Sequence, residues 1–185
     1  MWQIRMHDGA ADEQMEDELT NALHLTKPDI DFNDFRRELF SPTEANILVM
    51  LTAAKYMAGK NLEAIRIGEE ILFALERSHS RLSDYKVLQI NLAHNLSQIL
   101  QDEGRYQEAL LYAKKAENLS ICGTEQFLLP EIEFSIAQIL NNMKKRQESR
   151  MRMEALIPYM RLIGKKEMAD LVQEYLEKNL TNDVN

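Results

Sequence analysis

Four histidines, one cysteine and a few acid pairs are the side chains of this sequence with the chemistry for catalysis or metal binding, and their spacing supports neither. His7, His24, His79 and His94 are scattered, with no two of them three or four residues apart, so histidine alone builds no helical metal pair. Cys122 has no partner for a disulfide or a metal site and reads as a small apolar filler. Glu69-Glu70 and Glu131-x-Glu133 come without a neighbouring nucleophile or donor set, as acid pairs do on exposed helices. There is no Gly-rich phosphate loop, G-x-S-x-G elbow or H-E-x-x-H. Catalysis is not expected, and no cofactor or metal is implied. What remains is recognition by amides, whose side chains offer a donor and an acceptor each.

The elements that must position those amides are helices. Four Pro and six Gly fall mostly between periodic apolar segments, and alternating polarity is rare. A first helix is predicted from about Ala11 to Leu25, with Met15, Leu19, Ala22 and Leu23 on one face and acids on the other. Lys27-Pro28 breaks it, and DFNDFRRELF is predicted as a short helix offering Phe32, Phe35, Leu39 and Phe40 to the core, its arginines facing water. Ser41-Pro42-Thr43-Glu44 combines a serine cap, proline at the first helical position and the glutamate of a capping box. That helix should end at Gly59. Asn61 and Ser83 are candidate caps for the next two pieces, and Pro130 opens another. Pro158 predicts a kink or break near Ala155. A last amphipathic helix over 166–179, with Met168, Leu171, Val172, Tyr175 and Leu176 on one side, looks like a terminal cap.

Within NLAHNLSQILQDEGRYQEALLYAKKA, Leu96-Ser97, Gly104, Tyr106, Ala109 and Ala116 sit where a tetratricopeptide repeat places its packing residues. The pattern's tryptophan is Ala93, its tyrosine Leu100 and its second-helix aromatic Ala113. Leu51-Thr52, Gly59 and Ala64 repeat the arrangement upstream; Ile136-Ala137, Lys144 and Ser149 repeat it downstream, with lysine for glycine and serine for alanine. The resulting expectation is an all-α chain: an α-α superhelix of about three degenerate tetratricopeptide-like helix pairs with flanking N- and C-terminal helices. As one domain over 1–185 it comprises N-terminal helices (11–40), repeats at 42–79, 83–119 and 128–163, and a capping helix (166–179).

In stacked helix pairs the first helix of each pair lines the concave surface. Alignment and helical spacing project Asn91, His94, Asn95, Gln98, Gln101 and Asp102 there from the middle pair. The preceding helix offers Asn46, Val49, Met50, Ala53, Tyr56 and Met57; the following one offers Glu131, Phe134, Ser135, Gln138, Asn141 and Asn142. A row of amides suits the backbone of an extended peptide, with apolar spots for its side chains. The candidate peptide- or partner-binding face is Asn46, Met50, Tyr56, Asn91, His94, Asn95, Gln98, Phe134, Gln138 and Asn142, with Asn95 first among them.

The order of these pieces resembles the C-terminal half of Firmicute helix-turn-helix regulators with tetratricopeptide repeats, the peptide-sensing Rgg, GadR and MutR group, over about Met15 to Asn179. The resemblance implies a signalling peptide in the concave groove, dimerisation through C-terminal helices and a regulatory role in transcription, and it implicates Asn91, Asn95 and Gln98 most directly. That plan places a DNA-binding domain before the repeats. Only about ten residues precede the first acidic helix here, so none is expected in this chain. The alternative is a scaffold that joins protein partners with no small ligand.

The net charge of −8, with seven acids against Arg5 and Lys27 in the first 30 residues, argues against direct grip on a phosphate backbone. Lys144, Lys145, Arg146, Arg150 and Arg152 form one basic stretch, interrupted by Glu148 and Glu154, that reads as a solvated turn and helix face. No run of 18 apolar residues and no signal-peptide core occur, so a cytoplasmic protein with no membrane contact is expected. Apolar terminal faces and Met151, Met153 and Met160 suggest a homodimer.

Overall fold

The computed structural model describes residues 9–32, 34–77, 83–122 and 127–180. Among these residues the regular structure is entirely helical: α1 (Gly9–Thr26), α2 (Pro42–Met57), α3 (Asn61–Arg77), α4 (Ser83–Asp102), α5 (Tyr106–Cys122), α6 (Leu129–Asn142), α7 (Arg146–Leu162) and α8 (Lys166–Leu180). No described helix is long and apolar enough to cross a membrane. Contacts divide the chain into two compact units, Met1–Ile99 and Leu100–Asn185, the division falling inside α4.

One turn joins consecutive helices four times. Gly59, Gly104, Lys144 and Gly164 adopt φ of 76°, 73°, 66° and 83°. Each amide there bonds to the carbonyl three residues back, and the next amide, of Lys60, Arg105, Lys145 or Lys165, to the carbonyl five back. These bonds satisfy carbonyls that a helix end leaves orphaned. The carbonyl of that same basic residue then accepts the first bond of the next helix, from Ala64, Ala109, Ser149 or Ala169, each wholly buried. The α7–α8 turn therefore repeats the device at Gly164, where the sequence shows only a stop. Lys60 rather than Asn61 holds the cap position of α3, since Lys60 supplies the accepting carbonyl and Asn61 already lies in the helix.

In the first unit α2 packs against both α1 and α3. The capping box forms as expected: the Glu44 amide donates to Ser41 Oγ at 3.3 Å and the Ser41 amide to Glu44 Oε2 at 2.8 Å. Leu23, Leu48, Leu51, Ile67, Ile71 and Leu75 form the core. Gly68 of α3 sits where two other helices close in: a Cβ there would lie 2.8 Å from Leu96 Cδ2 on α4 and 3.2 Å from Thr52 Cγ2 on α2.

The short helix predicted over DFNDFRRELF is absent. Residues 31–40, of which Asn33 lies outside the described set, form isolated turns. Side chains of other elements take the backbone groups a helix would have paired internally. Glu70 accepts the Phe35 amide at 3.1 Å, while the carbonyls of Phe32, Arg36, Leu39 and Phe40 accept from Arg66, Arg77, Lys27 and Tyr85. Arg66, Glu70, Phe73 and Arg77 form one stripe of α3, so the segment is strapped along that helix. Phe35 and Phe40 are buried, but Leu39 is 74% exposed. Arg36 and Arg37 face water, Arg36 also lying 5.6 Å over the Phe73 ring.

In the second unit α6 packs against α5 and α7, and α7 against α8. Phe134, Ala137, Met153, Leu156, Ile157, Met160, Ala169, Val172 and Leu180 build its core, with Met168, Tyr175 and Leu176 packed against it. The Ser149 hydroxyl donates to the Ala137 carbonyl at 2.6 Å, so the one serine among the four turn-following positions pins α7 to α6. The helix is not broken at Pro158, which lies with Glu154 and Ala155 on the exposed side of α7. There the carbonyl that loses its amide partner is next to solvent, which makes the proline tolerable. Cys122 is exposed at the end of α5 rather than filling the interior.

Candidate functional site

The amide face was expected from α4, and α4 is where it is clearest. From Val87 to Gln101 every residue of this helix is buried or half-buried. Val87, Asn91, Asn95 and Gln98 form the half-open strip along one side of the first unit's part of the helix; half-buried Gln89 lies off it and donates to the Leu75 carbonyl. Leu92, Ala93, Leu96, Ser97 and Ile99 point inward and fix which side stays open. The strip is therefore a consequence of packing and not of local propensity.

His94 does not join the open strip. It is 7% exposed, and its Nε2 lies 3.0 Å from Gln98 Nε2, so the ring holds the Gln98 amide in place beneath the surface. Asn91 and Asn95 make no side-chain hydrogen bond to a described residue. Their donors and acceptors are available to a ligand. On α2 of the same unit Asn46 and Met50 are exposed, with the Asn46 amide 3.9 Å from the Met50 sulfur, and Tyr56 is half-buried.

In the second unit the face predicted on α6 is partly covered. Phe134 is a core residue, 7% exposed, with its ring edge-on to Tyr175 of α8 at 5.6 Å. Asn141 donates to the Tyr175 hydroxyl at 3.2 Å. Gln138 and Asn142 remain half-exposed without a side-chain hydrogen bond to a described residue. The capping helix explains the difference: the sequence identifies α8 as a cap but not the side of α6 on which Tyr175 comes down. Comparison of the chain with protein-family models, curated proteins and solved structures gives no match.

Two charged clusters escape the sequence reading. In the first unit Lys55, only 8% exposed, donates to Glu16 at 2.5 Å and to Glu63 at 2.8 Å, and Lys60 donates to the other Glu16 oxygen at 2.8 Å. Burial disfavours the Glu16 charge, but the two lysines outweigh it and hold the carboxyl below its usual range; the Lys55 hydrogen bond does the same for Glu63. A lysine inside LTAAKYM, facing an acid-rich first helix, is the signal that was there to be read.

In the second unit Arg152 of α7 binds Glu117 of α5 at 3.0 Å and also binds Glu133 of α6. Burial, and next the hydrogen bond shared with Glu117, push the Glu133 carboxyl above its ordinary range. Burial opposes the Glu117 charge as well, yet the bonds from Glu133 and Arg152 lower it. Two carboxylates that share one guanidinium titrate as a pair, and the more deeply buried one is pushed up while the other is held down. Arg150 donates to the Leu180 carbonyl, so only Lys144, Lys145 and Arg146 of the basic stretch form the solvated face expected of it. Among described residues no group of three or more His, Cys, Asp or Glu is arranged to hold a metal. His24 is exposed beside Phe32, and His7 and His79 lie outside the described residues.

Proposed function

We propose that this chain is a tetratricopeptide-like helical-repeat protein that binds an extended peptide or a protein segment through the amide strip of α4, serving as the regulatory part of a transcriptional regulator. The observation that carries the reading is the strip itself. A helix enclosed along most of its length leaves one side half-open, and on that side Asn91 and Asn95 sit a turn apart with unused donors and acceptors. Half-buried amides discriminate well, because water is partly excluded and a misfit ligand leaves them unpaired. Exposed Asn46 and Met50 on α2 supply polar and apolar contacts of the same unit. The regulatory role follows from the resemblance in element order. Titration with pooled short peptides, followed by amide NMR, should give saturable shifts at Asn91 and Asn95. Asn95→Ala should weaken binding by about tenfold, the worth of one or two hydrogen bonds. Saturable binding unaffected by Asn91→Ala and Asn95→Ala would place the ligand elsewhere.

Exposed Leu111 on α5 and Met151 on α7, each two residues beyond a turn-following small residue, favour a second reading, a scaffold contacting proteins through its second helices. A partner retained by Asn95→Ala and lost with Leu111→Ser and Met151→Ser would select it. Met153 and Met160 are wholly buried, so of the three methionines offered for a homodimer only Met151 faces outward. Light scattering at high concentration that gives 21.5 kDa would dispose of the dimer.

A further inference from the structure

A cleft of about 450 Å³ opens in the first unit, lined by Glu16 and Thr20 of α1, Phe32 of the strap, Leu51 and Lys55 of α2, and Glu63, Arg66 and Ile67 of α3. We propose that this cleft is a binding site for a small monocarboxylate with a short apolar tail. Its volume falls in the roughly 300–1,000 Å³ range of small-molecule sites. Leu51 and Ile67 lie buried directly beneath the cleft, and the half-buried Phe32 ring is its accessible apolar wall, so the floor is apolar.

Unused hydrogen-bond donors converge on that floor. Two of the three Lys55 ammonium protons go to Glu16 and Glu63, and no described residue accepts the third. Arg66 spends two of its donors, on Glu70 at 3.4 Å and the Phe32 carbonyl at 3.2 Å, and leaves the rest of its planar fork open. The Thr20 hydroxyl bonds no described residue. Most acceptors of the cleft are by contrast committed: both Glu16 oxygens face lysines, and Glu63 turns one of its oxygens to Lys55. A site with spare donors, engaged carboxylates and an apolar floor selects an acceptor-rich head on an apolar body. A carboxylate fits the Arg66 fork, and charge-assisted bonds to it are the strong ones. A second charge on the ligand would meet Glu16 and Glu63, which restricts it to a monoanion.

The site is separate from the α4 strip, so it stands or falls independently of peptide binding. Isovalerate and phenylacetate, titrated into the full chain and followed by NMR shifts of Thr20 and Ile67, should saturate in the millimolar range or tighter. Thr20→Val and Arg66→Gln should each weaken binding about tenfold or more, with the helical content by circular dichroism retained. Asn95→Ala should leave it unchanged. Isovaleramide should fail to compete. Absence of saturation by either acid, equal binding of the amide, or full binding by folded Thr20→Val and Arg66→Gln would each overturn the proposal.

Discussion

Lys144 is the one residue at the four equivalent turn positions that pays for a side chain, and replacing it with glycine should stabilise the second unit. Its φ of 66° matches the 73° and 83° of Gly104 and Gly164 in the same unit. An L-residue in this region carries roughly 1–2 kcal/mol of steric strain, whereas glycine carries none but loses about 0.4–1 kcal/mol more backbone entropy on folding. The difference is a gain of about 0.5–1 kcal/mol for Lys144→Gly. The Lys144 side chain is exposed and makes no ion pair with a described residue, so no contact among them is removed. Lys144→Ala keeps the strain and should change stability by less than about 0.5 kcal/mol. The reverse experiment is Gly104→Ala: a Cβ there meets nothing within 4 Å, so only the backbone term operates and a loss of about 0.5–1 kcal/mol is expected. Urea titrations by far-ultraviolet circular dichroism, with melts in which 1 kcal/mol is worth about 2–4 °C, resolve these differences. A lower midpoint for Lys144→Gly, or an equal rise for Lys144→Ala, would refute the backbone origin of the effect.

Gly68 is a glycine of the opposite kind, needed for room: Gly68→Val should cost about 2 kcal/mol or more from overpacking, and Gly68→Ala with Leu96→Ala should show a coupling of about 0.5 kcal/mol or more in a double-mutant cycle. Ser149→Ala should cost about 0.5–1 kcal/mol in urea titration, since a buried 2.6 Å bond is lost while alanine regains some helix propensity. The acid pair should separate with pH. Glu133 has a raised carboxyl, so its contribution is complete below the unfolded carboxylate range and fades as pH rises through the folded value; Glu117, lowered, contributes at neutral pH and fades on acidification. Glu117→Gln should therefore lose about 1–3 kcal/mol at pH 7 and progressively less as the pH falls below the ordinary carboxylate range, whereas Glu133→Gln should flatten the decline on the other side, as read from urea midpoints across pH.

Helix periodicity, the Ser41 capping box and the turn glycines were legible because each is written in residues close together in the chain. The strap at 31–40 was not. Its phenylalanines have helical spacing, but its backbone is claimed by Arg66, Glu70, Arg77 and Tyr85, up to 45 residues away, and no local pattern announces that competition. The open face divides in the same way. The half-open placement of Asn91, Asn95 and Gln98 followed from helical spacing and the inward direction of Leu96, whereas the burial of Phe134 depends on where α8 lays Tyr175. Glu117, Glu133 and Arg152 come from three helices and meet only in space, so their cluster has no sequence signature. Cys122 failed for a simpler reason: residue type gives a tendency to burial, and Cys122 falls on the exposed side of the last turn of α5.

Where the repeat pattern places bulky aromatic residues in its middle unit, the chain carries Ala93, Leu100 and Ala113, and all three are wholly buried. Polarity at those positions is kept while volume is not. Small side chains bring helix axes together, and the position in α3 that corresponds to Ala113 is Gly68, where a Cβ would already crowd Leu96 and Thr52. At the next equivalent position α7 carries Met153, also wholly buried, so the same site along the helix is filled by hydrogen, methyl and thioether in turn. Close-packed interiors respond to a single methylene, so the surroundings of these three positions must differ. A pattern of polarity survives such drift and a pattern of residue identity does not. Placing an aromatic residue at Ala113 should consequently destabilise the chain through overpacking, as is expected of Gly68→Val, even though the tetratricopeptide pattern favours it.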